Sequence, residues 1–148
     1  MIELGGRIEG KTHILPVRVY YEDTDISGVV YHANYLRYME RGRSEFFRAV
    51  GITKLAQMEQ PDPTAWALRK ASIKYLRPAR LDDLIEVHTR CIALSGARLS
   101  AEQKCFANGQ LLTEAEVEAC VITLTGKPRR IPEDMRSKLA AFLESSGS

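Results

Sequence analysis

Residues 20–35 read Tyr-Tyr-Glu-Asp-Thr-Asp-Ile-Ser-Gly-Val-Val-Tyr-His-Ala-Asn-Tyr and gather residue types that can do acyl chemistry. Asp23 and Asp25 fall in a polar break after a short β-branched and aromatic run. Gly28 lets the backbone approach a ligand closely. A helical pattern begins at Asn34, so the segment ends where unpaired N–H groups and the helix dipole favour developing negative charge. A carboxylate facing such a terminus suits acyl transfer. The N–H groups hold a carbonyl oxygen as it becomes an oxyanion, and the carboxylate attacks directly or activates a water. On residue types alone a solvated or capping role for the acidic turn stays open, as does a hydrogen-bonded structural role for His32.

The elements around this stretch follow from hydrophobic spacing. Residues 17–21, after Pro16, predict a strand. From Asn34 to about Val50, Tyr35, Leu36, Met39, Phe46, Phe47 and Val50 recur at helical spacing, with Asn34 as expected N-cap and Gly51 as C-terminal glycine. Gly42 lies inside that helix, where it costs about 1 kcal/mol relative to Ala, so a close approach to another backbone is expected. A short helix is expected over 54–58. After Pro61 and Pro63 the period changes to two, predicting strands over 66–76, 85–94, 99–107 and 111–124. Asn108-Gly109 marks a hairpin, and the other connections are too short for helical crossovers, so the sheet should be antiparallel. Glu114, Glu116 and Glu118 alternate along one face of the last strand, which should be solvated. A final helix, about 133–143, follows Pro132 at its N1-like start. The expectation is an α+β two-layer domain, one long helix on a curled five-stranded sheet.

The chain has 148 residues, a net charge of +2 and 27% charged residues, which fit one globular domain. That domain is expected over 15–144, with a loosely held extension over 1–14 and a flexible tail over 145–148. No apolar run has the roughly 20 residues of a membrane-spanning helix, and the first residues lack a secretory apolar block, so a cytoplasmic protein without membrane insertion is expected. Lys127-Pro128-Arg129-Arg130 is too short to argue for nucleic acid. Cys91, Cys105 and Cys120 lack metal-ligand spacing and read as buried, reduced residues.

Residues 17–48, VRVYYEDTDISGVVYHANYLRYMERGRSEFFR, closely resemble the YbgC branch of the 4-hydroxybenzoyl-CoA thioesterase family. Two further blocks match: residues 69–84 with Tyr75-Leu76-Arg77-Pro78, and residues 112–117 with Lys127-Pro128-Arg129. The resemblance implies a hotdog fold, with the sheet wrapped around the long helix. It implies hydrolysis of acyl-CoA thioesters without metal or other cofactor, in homodimers or homotetramers with the site at the subunit interface. Asp25 matches the family's catalytic aspartate, as nucleophile or general base, with Asp23 in support. The position of His32 matches the backbone N–H that polarises the carbonyl, and its side chain matches a histidine that orients water or thioester. Tyr21, Gly28, Val29, Val30 and Tyr31 are implied to line the substrate site. The family's consecutive basic residues for the nucleotide phosphates are replaced here by Leu94-Ser95-Gly96-Ala97-Arg98, which leaves Arg98, Arg77 and Lys74 as candidates and admits an acyl carrier protein in place of CoA. Glu40 and Glu45, on the long helix, read as structural. A non-catalytic module binding an acyl carrier protein or an envelope partner of the Tol-Pal type is the alternative.

Overall fold

A computed structural model describes residues 4–143; the expected tail over 145–148 lies outside them. Six strands form one antiparallel sheet: β1 (Arg7–Glu9), β2 (Thr12–Arg18), β3 (Thr64–Tyr75), β4 (Leu84–Leu94), β5 (Arg98–Ala107) and β6 (Gln110–Thr123). Their order across the sheet is β1-β2-β4-β5-β6-β3. Three helices complete the fold: α1 (Asn34–Ala49), α2 (Lys54–Met58) and α3 (Glu133–Ala140). The expected α+β architecture is present, with a sixth short strand added at one edge.

That added strand lies in the stretch expected to be a loose extension. β1 pairs with β2 from Arg7↔Ile14 to Glu9↔Thr12, and His13 and Ile14 are buried. The first strand therefore starts at Thr12 and ends at Arg18, earlier at both ends than the 17–21 expected. Residues 19–23 bend away instead. Val19 donates its N–H to the Asp83 carbonyl at 2.9 Å, and Tyr21–Asp23 form a single 3₁₀ turn.

Asn108 and Gly109 both take positive φ, 53° and 76°, as a two-residue hairpin joining β5 to β6 requires. β3 does not pair with β4, the next strand in sequence. It crosses to the far side and pairs with β6 from Thr64↔Thr123 to Tyr75↔Thr113, leaving its outer edge open.

α1 lies across β2 and β4 with Tyr35, Tyr38, Met39, Phe46 and Phe47 turned to the sheet. Each such side chain fully buried contributes roughly 1.5–3 kcal/mol. Gly42 does meet close neighbours, but they are side chains of the sheet rather than the backbone expected: an added Cβ would stand 2.8 Å from Val87 Cγ1 and 3.1 Å from Thr89 Oγ1. Fully buried Gln103 fixes the helix further. Its Nε2 donates to the Met39 carbonyl at 2.8 Å and to Thr89 Oγ1 at 2.9 Å, and its Oε1 accepts from Arg43 at 2.8 Å. The helix ends in the expected glycine turn. Gly51 (φ 89°) donates to the Arg48 carbonyl and Ile52 to the Phe47 carbonyl, while Ile52 packs on Phe47. α3 starts at Glu133, one position after Pro132, and ends earlier than expected.

On the outer face of the sheet Glu114, Glu116 and Glu118 reach solvent as expected, with Lys74 facing Glu114 and Lys70 facing Glu118. Cys91 and Cys105 are buried, and burial pushes their thiols up to about 12 and about 11. Neither is a thiolate nucleophile at neutral pH.

Candidate active site

The acidic turn is a tight hairpin. Thr24 and Val30 form an isolated bridge, Asp25 N donates to the Val29 carbonyl at 2.9 Å, and Gly28 N donates to the Asp25 carbonyl at 3.0 Å. Gly28 sits at φ 82°, with nothing within 4 Å of a would-be Cβ, so backbone conformation rather than space demands glycine there. The hairpin is anchored to the chain before β4: Val30 N donates to the Ala79 carbonyl at 2.8 Å, and Val29 bridges Arg80.

Asp25 stands at the tip with its carboxylate exposed. Oδ1 accepts from Ser27 N at 2.9 Å and from Ser27 Oγ at 2.5 Å. The Ser27 hydroxyl, then its N–H, stabilises the ionised form and holds the carboxyl below the ordinary aspartate value. The Val29 and Asp25 N–H groups add smaller contributions in the same direction. Asp25 is thus a committed anion with one oxygen tied down.

The start of α1 supplies the complement. Tyr31 N donates back to the Asp23 carbonyl, and Asn34 N donates to the Tyr31 carbonyl. Between them the N–H groups of His32 and Ala33 make no hydrogen bond among the described residues. These are the open donors that a helix N-terminus offers to an oxyanion. Asn34 is not the expected N-cap. Ala33 occupies that position without a side-chain bond, and the Asn34 carboxamide reaches the Asp23 carbonyl at 2.8 Å instead.

Beside this terminus a cleft of about 290 Å3 is lined by Val30, His32, Tyr35, Tyr75, Leu76, Arg77 and Pro78. The His32 ring lies 4.5 Å from Tyr31 and 6.1 Å from Tyr75. Tyr75 Oη donates to the His32 carbonyl at 3.1 Å, joining the end of β3 to the start of α1. The Tyr35 hydroxyl accepts from Ala79 N at 3.1 Å and ties the other wall down. Arg77 is held over the cleft by a 3.1 Å bond to the Leu111 carbonyl. A larger cleft, about 620 Å3, lies at the opposite end of α1 among Gly51, Gln57, Arg129 and Lys138. Size alone would favour it, but it contains none of the expected site residues.

The single chain therefore brings Asp25, Gly28, Val29, Val30, Tyr31 and His32 together on one hairpin and helix start, with Arg77 adjoining. Tyr21 stands 82% exposed and lines no wall of the cleft. Arg98 is not at this site within the chain. It begins β5, whose other end at Ala107 lies near Arg77, roughly 30 Å away at 3.3 Å per residue. There it faces Glu118 at 3.7 Å on the outer sheet face, and Lys74 faces Glu114 at 3.9 Å. Glu40 engages Ser44 and Lys54, and Glu45 pairs with Arg48. Sequence reasoning missed Ser27, Tyr75 and the true role of Asn34. The Asp-x-Ser spacing, a signature of a side chain folding onto the backbone two residues on, was the available signal for Ser27.

The family model described as "Thioesterase-like superfamily" matches residues 19–139. The chain belongs to that superfamily. The acyl-CoA thioester hydrolase YbgC of Escherichia coli O6:H1 is 43% identical over 122 residues, which span 81% of this chain and 90% of that protein. The acyl-CoA thioesterase YbgC of Haemophilus influenzae is 40% identical over 123 residues, 82% of this chain and 90% of that protein. Among solved structures, a probable thioesterase from Bartonella henselae superposes with a TM-score of 0.80 at 41% identity, covering 82% of this chain and 99% of its own. The fold is thus the superfamily's hotdog, with α1 held against the curled sheet, and the chain is a thioester hydrolase.

Proposed function

We propose that this chain hydrolyses acyl-CoA thioesters to a free acid and the CoA thiol, with Asp25 as the reacting carboxylate. The observation that supports it most is the pairing of an anionic, half-tethered Asp25 with the unpaired N–H groups of His32 and Ala33 beside an aromatic-lined cleft. In this reading the thioester carbonyl oxygen accepts from those N–H groups. Asp25 Oδ2 attacks the carbonyl carbon, the C–S bond breaks and the thiolate leaves. Water then cleaves the mixed anhydride and regenerates the carboxylate. The thiolate needs little acid help, because a thiol pKa is about 8.5. General-base activation of water by Asp25 gives the same products.

The site is proposed to be finished by a second copy of the chain. Asp25 faces solvent in a single chain, and the open edge strand β3 exposes Leu68 and Ala71 along its length and Tyr75 at the cleft. Pairing of that edge with its own copy would wall in the thioester, and a homodimer or a dimer of dimers in light scattering is the expected result. The function is tested by incubating purified protein with acetyl- to palmitoyl-CoA, and with the corresponding acyl carrier protein thioesters, in the presence of a thiol reagent. Thiol release from at least one acyl-CoA is expected. Release from the carrier-protein series alone would change the assigned carrier, and release from neither would leave a binding module.

A further inference from the structure

We propose that Asn34 is a positioning residue that sets the distance between the Asp25 carboxylate and the open amides of the α1 N-terminus; this rests on the thioesterase reading above. The two halves of the site sit on different pieces of backbone. Asp25 rides the hairpin tip, while the His32 and Ala33 N–H groups belong to the start of α1. Beside the Thr24–Val30 bridge and the Asp25 N–Val29 bond that close the hairpin, they are tied through the carbonyl oxygen of Asp23, two residues before Asp25. That oxygen accepts from Asn34 Nδ2 at 2.8 Å and from Tyr31 N at 3.0 Å.

Asn34 is the side-chain arm of this joint. It is 9% exposed and lies in the first residue of α1, where an asparagine would ordinarily cap the helix. Here the capping interaction is absent and the carboxamide is spent on the loop. The other side of Asp23 is closed as well: its Oδ2 accepts from Tyr20 N at 2.9 Å, and its N donates to the Tyr20 carbonyl at 3.0 Å. Residues 20–23 therefore move as one piece, and Asn34 fixes that piece to the helix. Without its N–H, the Asp23 carbonyl keeps only the Tyr31 amide, and the hairpin, still closed by the Thr24–Val30 bridge and the Asp25 N–Val29 bond, is freer to tilt against the first turn of α1. Tilting changes the reach of Asp25 to the carbonyl carbon without changing the cleft wall of Val30, Tyr35 and Tyr75. The expected signature is a loss in kcat with KM preserved.

The test compares Asn34→Asp and Asn34→Ser with the wild type by steady-state thiol release, alongside melting temperature. Asn34→Asp is isosteric but has no donor when ionised, so it repels the Asp23 carbonyl. Asn34→Ser is too short to reach it and carries no charge. Both are expected to lower kcat about 10- to 100-fold, the cost typical of a misplacement near 1 Å, with KM within about 2-fold. In an Asp25→Asn background, adding Asn34→Asp should lower the residual rate less than about 3-fold, because the carboxylate being positioned is already gone. Wild-type kcat in either folded variant would overturn the inference. So would a rise in KM at constant kcat, or an equal fold-loss with and without Asp25. If the wild type releases thiol, Asp25→Asn does not, and the Asn34 variants match wild type, only this inference falls. If Asp25→Asn is fully active, the reading beneath it falls too.

Discussion

Replacing Tyr75 by Phe removes one atom, the hydroxyl that donates to the His32 carbonyl at 3.1 Å, and keeps the ring against His32 and Tyr35. The His32 carbonyl belongs to the peptide whose N–H is that of Ala33, one of the two open donors. Holding that carbonyl aims the amide in the opposite direction. The carbonyl retains a weaker partner, Tyr35 N at 3.3 Å, so the change loosens the peptide rather than orphaning it. A hydrogen bond of this kind contributes about 0.5–1.5 kcal/mol net. If all of that is felt in the transition state, the rate falls by about 2- to 13-fold at 1.36 kcal/mol per decade. The assay is kcat by thiol release on the best acyl-CoA, with Tyr75→Ala as comparison. Tyr75→Ala also removes the wall of the cleft, so it should raise KM, whereas Tyr75→Phe should not. Wild-type kcat in Tyr75→Phe, or a Tyr75→Phe that raises KM as Tyr75→Ala does, would refute the role given to the hydroxyl.

Three further outcomes are expected. Ser27→Ala removes the largest influence holding the Asp25 carboxyl down, so the acid limb of the kcat/KM profile should move to higher pH, towards ordinary aspartate behaviour; an unmoved limb contradicts it. Gly42→Val forces carbon into the space held by Val87 and Thr89 and should cost about 2–3 kcal/mol, or roughly 5–10 °C in Tm, with Gly42→Ala milder because helix propensity offsets part of the clash; a Gly42→Val protein as stable as wild type rules out the tight contact. His13 is fully buried, its Nε2 bonds the Gly5 carbonyl at 2.7 Å and its Nδ1 has no partner, and burial lowers its pKa. A lowered folded-state value means that the unfolded chain takes the proton first, so stability should hold above about pH 6.5 and decline below it, a decline that His13→Gln should flatten in a Tm-against-pH series.

Much of the fold was legible because its periods are clean. β5 and β6 alternate buried and half-buried residues almost without interruption, and Asn108-Gly109 names the turn between them. α1 matched its stripe to within a residue, and even Gly42 announced a close neighbour. β1 was not legible. Three glycines lie within residues 5–10, and Ile8 is its one apolar residue, so pairing with β2 rather than local pattern makes it a strand. The placement of β3 beside β6 was equally hidden, since sequence order says nothing about which edge a strand joins. At the site, the hairpin carrying Asp25 was readable as a motif. The cleft was not, because Tyr75 is contributed by the end of a strand 43 residues beyond His32 in the chain. Arg98 is a different case: strand direction places it at the far end of β5 from this chain's own cleft, which residue spacing alone does not reveal.

The most direct test of the account is turnover by Asp25→Asn, a substitution that preserves shape and removes the anion. At unchanged Tm, its kcat on the best acyl-CoA should fall by at least about 100-fold, the lower range for loss of a directly acting acid–base group. A folded Asp25→Asn protein releasing thiol at the wild-type rate would contradict the central claim.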